Sequence, residues 1–163
     1  MGKVLPLSEL TALRDHWKTQ GKKVVFTNGV FDILHRGHLE YLASAKALGD
    51  ALIVGVNSDA SVRRIKGPLR PVVSEGDRSF LVSQLVPVDV VCLFDQDTPF
   101  ELIGAIVPDL LVKGADWPID KVVGKDIVEQ AGGKVMTLPL VPKRSTSNII
   151  ARIRELYSIQ EKE

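Results

Sequence analysis

The sequence lacks several features that would place it in a specialised class of protein. It has one cysteine in 163 residues, which excludes an intrachain disulfide and favours a cytoplasmic protein. No apolar run approaches the roughly 18 residues of a membrane-spanning helix, and the N-terminus lacks the apolar segment of a signal peptide. The formal net charge is only +1, so we expect neither a nucleic-acid partner nor a membrane partner.

Short apolar segments alternate with stretches of helical periodicity. Such segments indicate strands buried on both faces, as in a parallel sheet covered by helices. Five strands are predicted, at 23–27, 51–56, 90–94, 110–112 and 134–138. Helices are predicted at 8–20, 37–48, 74–85, 99–106, 121–131 and 147–156. This alternation predicts an α/β fold, a Rossmann-like single domain with a doubly wound, five-stranded parallel sheet. We assign residues 22–163 to this domain and residues 1–21 to an N-terminal helical extension packed on it.

The segment after the first predicted strand is where a fold of this kind binds its ligands. It lacks both common phosphate-binding patterns, Gly-x-Gly-x-x-Gly and Gly-x-x-x-x-Gly-Lys-Ser/Thr. Instead, His35 and His38 lie one turn apart on one face at the start of a predicted helix. The helix N-terminus adds free N–H groups, so the segment predicts a triphosphate site. Packing of the two histidines and zinc binding are alternatives, but no third zinc ligand lies nearby.

Three motifs resemble one family of enzymes. Thr27-Asn28-Gly29-Val30-Phe31-Asp32, followed by His35-Arg36-Gly37-His38, resembles the His-x-Gly-His signature of the cytidylyltransferase-like nucleotidyltransferases. Residues 112–117, and the hydroxyl-rich segment at 144–150 before the last helix, resemble two further motifs of that family. Longer stretches at 56–71, 94–99 and 142–150 are most similar to adenylyltransferases for D-glycero-D-manno-heptose 1-phosphate. The resemblance extends over residues 22–157.

The resemblance implies transfer of AMP from ATP to D-glycero-D-manno-heptose 1-phosphate, giving ADP-heptose and pyrophosphate for lipopolysaccharide-type glycan precursors. It implies Mg²⁺ held through the ATP phosphates, with no protein ligand directly assigned, and a homodimer. A sugar kinase and a phosphatase of the same pathway are expected to be separate proteins. A glycerol-3-phosphate or ethanolamine-phosphate cytidylyltransferase is one alternative, although Leu140 stands where the glycerol-phosphate enzymes have an arginine. A non-catalytic, flavodoxin-like nucleotide-binding module is an alternative of another class.

The resemblance also implies roles for individual residues. The catalytic candidates, which would neutralise charge on the reacting phosphates, are His35, His38, Lys66 and Arg144. The candidates for nucleotide binding are Thr27, Asn28, Gly29, Phe31, His35, His38, Lys113, Gly114, Ser145 and Thr146. The candidates for binding the sugar phosphate are Asp32, Asn57, Asp59, Arg70 and Arg78. Simpler alternatives are a solvated basic loop for Lys66 and Arg70, a turn for Asp32 and a surface ion pair for Arg78.

Overall fold

In a computed structural model of the chain, residues 2–157 are described, and they form alternating strands and helices. In chain order the elements are β1 (Lys3–Val4), α1 (Leu7–Thr19), β2 (Val24–Gly29), α2 (Arg36–Lys46), β3 (Ala51–Asn57), α3 (Asp59–Lys66), α4 (Glu75–Ser83), β4 (Val90–Phe94), α5 (Phe100–Ile106), β5 (Leu110–Gly114), α6 (Lys125–Gln130), β6 (Lys134–Leu138) and α7 (Thr146–Tyr157). A short 3-10 helix lies at Ile119–Lys121. None of the helices in this range is long and apolar enough to cross a membrane.

The six strands form one parallel sheet in the order β1-β4-β3-β2-β5-β6. From β2 the chain adds β3 and then β4 on one side, and it later returns to add β5 and β6 on the other side. The order of the strands therefore reverses between β2 and β5. Parallel sheets of this kind form a crevice at the carboxyl ends of the two strands that flank the reversal. Here those ends are Asn28-Gly29 and Lys113-Gly114.

Two hydrophobic clusters cover the two faces of the sheet. Alternate residues of one strand point to opposite faces, so Val24 and Phe26 belong to one cluster and Val25 belongs to the other. Helices α1, α5 and α6 contribute to the first cluster, and α2 and α4 contribute to the second. Because both faces are covered, β2 is buried along Val24–Thr27, and its polar residues reach the surface only at its carboxyl end.

The sheet has one strand more than the five that the sequence predicts. Lys3 and Val4 form β1, which pairs in parallel with β4 at the edge of the sheet. Two residues are too few for an alternating pattern to indicate a strand. The region predicted to be a purely helical extension therefore supplies both an edge strand and α1. Helix α1 places Leu10 and Trp17 in the same hydrophobic cluster as the strands.

Helix α3 is the second difference, because the sequence predicts a loop after β3. The Ser58 hydroxyl accepts a hydrogen bond from the Ser61 N–H at 3.0 Å and so caps the start of this helix. Only Ser61 and Val62 of the helix are buried, and most of its other residues are charged, so the sequence lacks the apolar content that would indicate a helix packed on the sheet. The predicted helix at 121–131 is shortened to α6 and is preceded by the 3-10 helix. The other predicted strands and helices are confirmed, with shifts at their ends.

We expect Leu10→Ala to destabilise the protein, because Leu10 is fully buried in the cluster that joins α1 to the sheet. Replacing a buried leucine by alanine typically lowers the free energy of unfolding by about 2–5 kcal/mol. Leu7→Ala on the same helix is the matched control, since Leu7 is 41% exposed. Urea denaturation would measure both changes. Equal, small losses in the two variants would contradict the docking of α1.

Candidate functional site

A cavity of about 680 Å³, here called the main cavity, opens where the strand order reverses. Its size is within the range of small-molecule sites. Most residues that the sequence assigns to the site line it, namely Asn28, Gly29, Phe31, Asp32, His35, His38, Asn57, Lys66, Arg70, Lys113, Gly114, Arg144, Ser145 and Thr146. The predicted segments after β2, at the end of β5 and at the start of α7 therefore meet at one place.

The two histidines form a stacked pair on one wall of the main cavity. Their ring centroids are 3.8 Å apart and the ring planes differ by 18°. His35 is in an extended conformation just before α2, and His38 lies in the first turn of that helix, so the turn brings the rings together. The Phe31 ring also contacts His38, with the two ring centroids 5.2 Å apart and the ring planes tilted by 59°.

Burial makes the histidine pair poor at holding protons. It lowers the pKa of His38 to about 4, and the neighbouring His35 is the second cause. Burial, followed by the positive charge of Arg144, lowers the pKa of His35 as well. His38 is therefore neutral near pH 7 and can donate or accept hydrogen bonds without carrying a charge.

The Nδ1 atoms of both histidines are buried, and neither has a hydrogen-bond partner within residues 2–157. A buried polar atom without a partner costs about 1–3 kcal/mol, so such atoms are uncommon in a packed core. Their presence at the wall of a cavity favours a ligand site over the alternative that the histidines only pack.

Gly37 allows the start of α7 to approach the histidines. A Cβ atom at this position would lie 3.1 Å from the His35 ring and 3.3 Å from the Cβ atom of Arg144. Any side chain here would push Arg144 away from the pair. The glycine of the His-x-Gly-His motif therefore has a steric role, which is to let two distant segments meet.

Asp32 is a buried carboxylate that anchors the loop after α3. It accepts hydrogen bonds from the N–H groups of Val72 and Val73, at 2.8 Å and 2.9 Å. Its other oxygen accepts from Arg70 Nε at 2.5 Å. The carboxylate thus holds the Arg70 side chain at the cavity wall. Asp32 lines the cavity as predicted, but its hydrogen bonds are those of a loop anchor.

Arg78 and Asp59, both predicted to bind the sugar phosphate, do not line the main cavity. The Arg78 side chain is fully buried, and its guanidinium donates to three groups. The acceptors are the carbonyls of Val73 and Val30, at 2.9 Å and 2.6 Å, and Asp59 Oδ1 at 2.7 Å. All three groups belong to the protein, so Arg78 joins α4 to the loops that carry the site.

Thr27 is the third predicted residue that lies outside the main cavity, because it is fully buried in β2. Its Oγ1 lies 2.8 Å from the Tyr41 hydroxyl, which in turn donates to the Val112 carbonyl at 3.1 Å. Burial raises the pKa of Tyr41 to about 12, so the hydroxyl keeps its proton. Tyr41 does line the cavity, although sequence reasoning did not select it. Its position three residues after His38, on the same helix face, is the signal that could have found it.

The end of β5 forms the opposite wall. Lys113 Nζ contacts the side-chain oxygen of Asn28 and lies 3.4 Å from the Asn28 carbonyl, so it joins the ends of β5 and β2. Burial lowers the pKa of Lys113 to about 8, against the opposing effect of Asp116. Several other lining residues were not selected as candidates, although all but Val122 lie in stretches that resemble the family: Asp97, Thr98, Pro99, Asp116, Trp117 and Val122.

Comparisons with known proteins agree with this geometry. Residues 26–152 match the cytidylyltransferase-like family. The chain is 52% identical over 155 residues to the bifunctional protein HldE of Trichlorobacter lovleyi, covering 95% of this chain and 31% of that protein. It is also 52% identical over 151 residues to HldE of Paramagnetospirillum magneticum, covering 93% of this chain and 31% of that protein. The chain therefore spans about a third of the length of these curated relatives.

Two solved structures are similar in fold. The lipopolysaccharide core biosynthesis protein of Thermoplasma volcanium is 33% identical with a TM-score of 0.61, covering 74% of this chain and 98% of that one. Pantothenate synthetase of Thermus thermophilus is 18% identical with a TM-score of 0.60, covering 91% of this chain and 67% of that one, and shows the fold alone. Because the family match extends over most of the sequence and includes the histidine pair, the chain belongs to the cytidylyltransferase-like family.

Proposed function

We propose that this protein transfers AMP from ATP to D-glycero-D-manno-heptose 1-phosphate, releasing pyrophosphate. The stacked, partnerless histidine pair at the crevice of a cytidylyltransferase-like fold is the observation that carries the proposal. The choice of ATP and a heptose phosphate rests on the longer sequence matches. The likeness to HldE proteins and to a lipopolysaccharide core biosynthesis protein supports that choice.

In the proposed reaction, an anionic oxygen of the sugar 1-phosphate attacks the α-phosphorus of ATP in line. A new P–O bond forms, the bond between the α-phosphorus and the bridging oxygen breaks, and pyrophosphate leaves with the bonding electrons. The attacking oxygen is already an anion, so no general base is required. The protein then has two tasks, to position two mutually repelling anions and to stabilise the charge that develops. Positioning can contribute about 7–11 kcal/mol, and each well-placed donor about 3–4 kcal/mol.

Groups around the main cavity divide these tasks. His38 and His35 donate hydrogen bonds to the triphosphate, with His38 at the α-phosphate. Ser145 and Thr146 receive the β- and γ-phosphates at the start of α7. The Ser145 hydroxyl also caps this helix, since it accepts from the Asn148 N–H at 3.1 Å.

Lys66, a catalytic candidate, and Arg70, a candidate for the sugar phosphate, both line the main cavity but are restrained to different degrees. Lys66 is exposed at the end of α3 and forms no ion pair within the described part of the chain. Arg70 is already held by Asp32. Lys66 is therefore free to turn toward a second anion, whereas Arg70 presents its guanidinium from one place.

The magnesium ion enters this proposal as part of the Mg–ATP substrate. Within residues 2–157, no group of three or more His, Cys, Asp or Glu side chains is arranged to hold a metal ion. Three carboxylates line the main cavity: Asp32 is occupied by Arg70 and two N–H groups, Asp97 is paired with Arg64 at 2.6 Å, and Asp116 lies near enough to Lys113 for its charge to act on it. These carboxylates do not form a dedicated metal site, and no step is assigned to a protein-held metal.

The same site is compatible with two alternative functions. A cytidylyltransferase for glycerol 3-phosphate or ethanolamine phosphate would use the same phosphate-binding residues, and it would differ from our proposal in the base of the nucleotide and in the phosphate that accepts it. A non-catalytic nucleotide-binding module would bind the triphosphate without turnover. Family membership favours the transferases. A homodimer, a cytoplasmic location, and a kinase and a phosphatase of the same pathway remain part of the proposal.

Pyrophosphate release tests the function directly. The chain would be incubated with ATP or CTP and with each candidate phosphate, namely heptose 1-phosphate, glycerol 3-phosphate and ethanolamine phosphate. We expect release only with ATP and heptose 1-phosphate, and ADP-heptose as the second product. Release only with CTP would replace the proposal with the cytidylyltransferase, and binding without release in every mixture would favour the non-catalytic module.

We expect His38→Ala to lower kcat by at least about a hundredfold, because it removes a donor placed at the reacting phosphate. The matched control is His16→Ala, since His16 is an exposed histidine on α1, outside the main cavity. Steady-state kinetics would give the rates, and circular dichroism would check the fold. A His38→Ala variant that works at the wild-type rate would refute the role assigned to this side chain.

The lowered pKa of His38 also predicts a pH dependence of stability. Between its ordinary value of 6.5 and about 4, this histidine takes up a proton in the unfolded chain but not in the folded protein. Lowering the pH through that interval therefore reduces the free energy of unfolding. We expect His38→Gln to lose less stability than the wild type between pH 7 and pH 5, as measured by urea denaturation. Parallel losses in the two proteins would be evidence against a neutral, buried His38.

A further inference from the structure

Asn57 is a nearly buried carboxamide at the carboxyl end of β3, and it is 3% exposed where it lines the main cavity. Its Nδ2 donates to the Ser61 hydroxyl at 3.0 Å, and that hydroxyl donates to the Gln96 carbonyl at 2.9 Å. Ser61 itself is fully buried in α3. One chain of hydrogen bonds therefore joins the end of β3 to α3 and to the segment after β4.

This chain of hydrogen bonds can run in one direction only. The Gln96 carbonyl has no proton to give, so the single hydroxyl proton of Ser61 must point to it. The Ser61 oxygen must then accept from Asn57, and only the nitrogen of a carboxamide can donate. The nitrogen of Asn57 is thus held against the protein, and its side-chain oxygen is turned away from Ser61.

The side-chain oxygen of Asn57 is an acceptor without a protein partner. Within residues 2–157 no group donates to it. It is nevertheless open to solvent, because the sealed side-chain atoms without a partner in this range belong to Arg14, His35 and His38. Since Asn57 is exposed only slightly and lines the main cavity, the cavity wall presents a fixed acceptor at this point.

A phosphate group is the wrong partner for this oxygen. Phosphate oxygens are strong acceptors and carry negative charge near pH 7, so they repel a second acceptor. The main cavity offers phosphates cationic donors at other positions, such as Lys66 and Arg70. A fixed acceptor fits a ligand group that donates a hydrogen bond, and hydroxyls are the donors of a sugar phosphate.

Asn28, at the end of the neighbouring strand β2, is oriented in the opposite sense. Lys113 Nζ can only donate and contacts the side-chain oxygen of Asn28, so the nitrogen is the atom left for a ligand. A donor suits the phosphates of a nucleotide, whereas an acceptor suits hydroxyls. The two carboxamides at adjacent strand ends are therefore suited to different ligand groups.

We propose that Asn57 accepts a hydrogen bond from a hydroxyl of the bound sugar phosphate, and that Ser61 is the positioning residue that keeps this oxygen turned to the cavity. The inference rests on the proposed function and names the part of the sugar phosphate that Asn57 recognises. It excludes a contact between Asn57 and the phosphate group.

Steady-state kinetics separate this role from a general effect on the fold. Asn57→Leu removes the acceptor at similar side-chain size, so we expect the KM for heptose 1-phosphate to rise about tenfold. The KM for Mg–ATP should change by less than about twofold. Ser61→Ala leaves the Asn57 carboxamide free to turn over, and we expect about a threefold rise in the KM for heptose 1-phosphate, again without a change for Mg–ATP.

Two further variants make the comparison specific. Ser79→Ala is the matched control for Ser61→Ala, because Ser79 is a buried helical serine whose hydroxyl donates to the Gly76 carbonyl at 3.1 Å, outside the main cavity. We expect wild-type values of both KM constants in this control. Asn28→Leu should show the reverse pattern, with a raised KM for Mg–ATP. Equal changes for the two substrates in Asn57→Leu, or the same change in Ser79→Ala as in Ser61→Ala, would overturn the inference.

Isothermal titration calorimetry tests the same contact without turnover. The protein would be saturated with Mg²⁺ and an ATP analogue that has a methylene group between the α- and β-phosphorus atoms, so that no AMP can be transferred. Heptose 1-phosphate, glycerol 3-phosphate and methyl phosphate, which has no hydroxyl on its carbon, would then be titrated in. For Asn57→Leu we expect about a tenfold higher Kd for heptose 1-phosphate and less than a twofold change, about the precision of the measurement, for methyl phosphate.

The outcomes of the calorimetry distinguish this inference from the proposed function. Unchanged affinity of Asn57→Leu for every hydroxyl-bearing phosphate, or an equal loss for methyl phosphate, would overturn the inference, and circular dichroism would check that the variant folds. If the wild type binds glycerol 3-phosphate but not heptose 1-phosphate, and Asn57→Leu loses that binding, the proposed function fails and the hydroxyl site stands.

Discussion

The hydrogen bonds of the buried Arg78 guanidinium are the interactions on which the Arg70 side of the main cavity depends. Its donors join the start of α3, the segment after β2 and the loop before α4, so one side chain fixes three separate parts of the chain. Asp32 ties the second of these segments to the third and holds Arg70 at the cavity wall. Removing one partner of a buried charge pair typically costs about 3–5 kcal/mol, so neither loop can leave its place at small cost. No residue of α4 lines the main cavity, yet its Arg78 helps to fix the loop that places the Arg70 side chain at the cavity wall.

Sheet topology explains why residues so distant in sequence form one cavity. The strand order reverses between the neighbouring strands β2 and β5, and Lys113 contacts Asn28 at their carboxyl ends, where the crevice opens. The helix after β2 supplies a histidine pair whose burial keeps it uncharged. Cations therefore have to come from elsewhere, and they lie on α3, on the loop held by Asp32 and on the segment before α7. In the proposed reaction, the histidines would therefore supply hydrogen bonds at the α-phosphorus, and the lysine and arginine side chains would compensate the negative charge of the phosphates.

Much of the fold could be predicted, because strands buried on both faces have a clear apolar signature. The edge strand β1 could not, since two residues carry no period, and α3 could not, since it buries only Ser61 and Val62. The histidine motif and the hydroxyls before α7 were found for a similar reason, because each lies at a helix start with a definite spacing. A loop residue such as Val122 lies outside every motif, and it lines the cavity only through the three-dimensional arrangement of distant segments.

Three of the predicted site residues lie outside the main cavity for one physical reason. Thr27, Asp59 and Arg78 were assigned to ligands because the family resemblance implies those roles. In the structure each is satisfied by another protein group: a tyrosine hydroxyl for the threonine, and each other for the charged pair. Sequence alone gives the kind of side chain near a site, but it does not tell whether the partner is a ligand or the protein.

The Tyr41 hydroxyl has a consequence for how the two walls of the main cavity can respond to a ligand. It bonds to β2 through Thr27 and to β5 through Val112, so α2 and its histidines are pinned to two adjacent strands at once. Helix α7 has no buried residue, and Thr146 in its first turn donates to the Ile33 carbonyl at 3.2 Å. The α2 side of the main cavity is thus held firmly to the sheet, whereas α7 is held less firmly. We therefore expect any tightening around a substrate to involve α7.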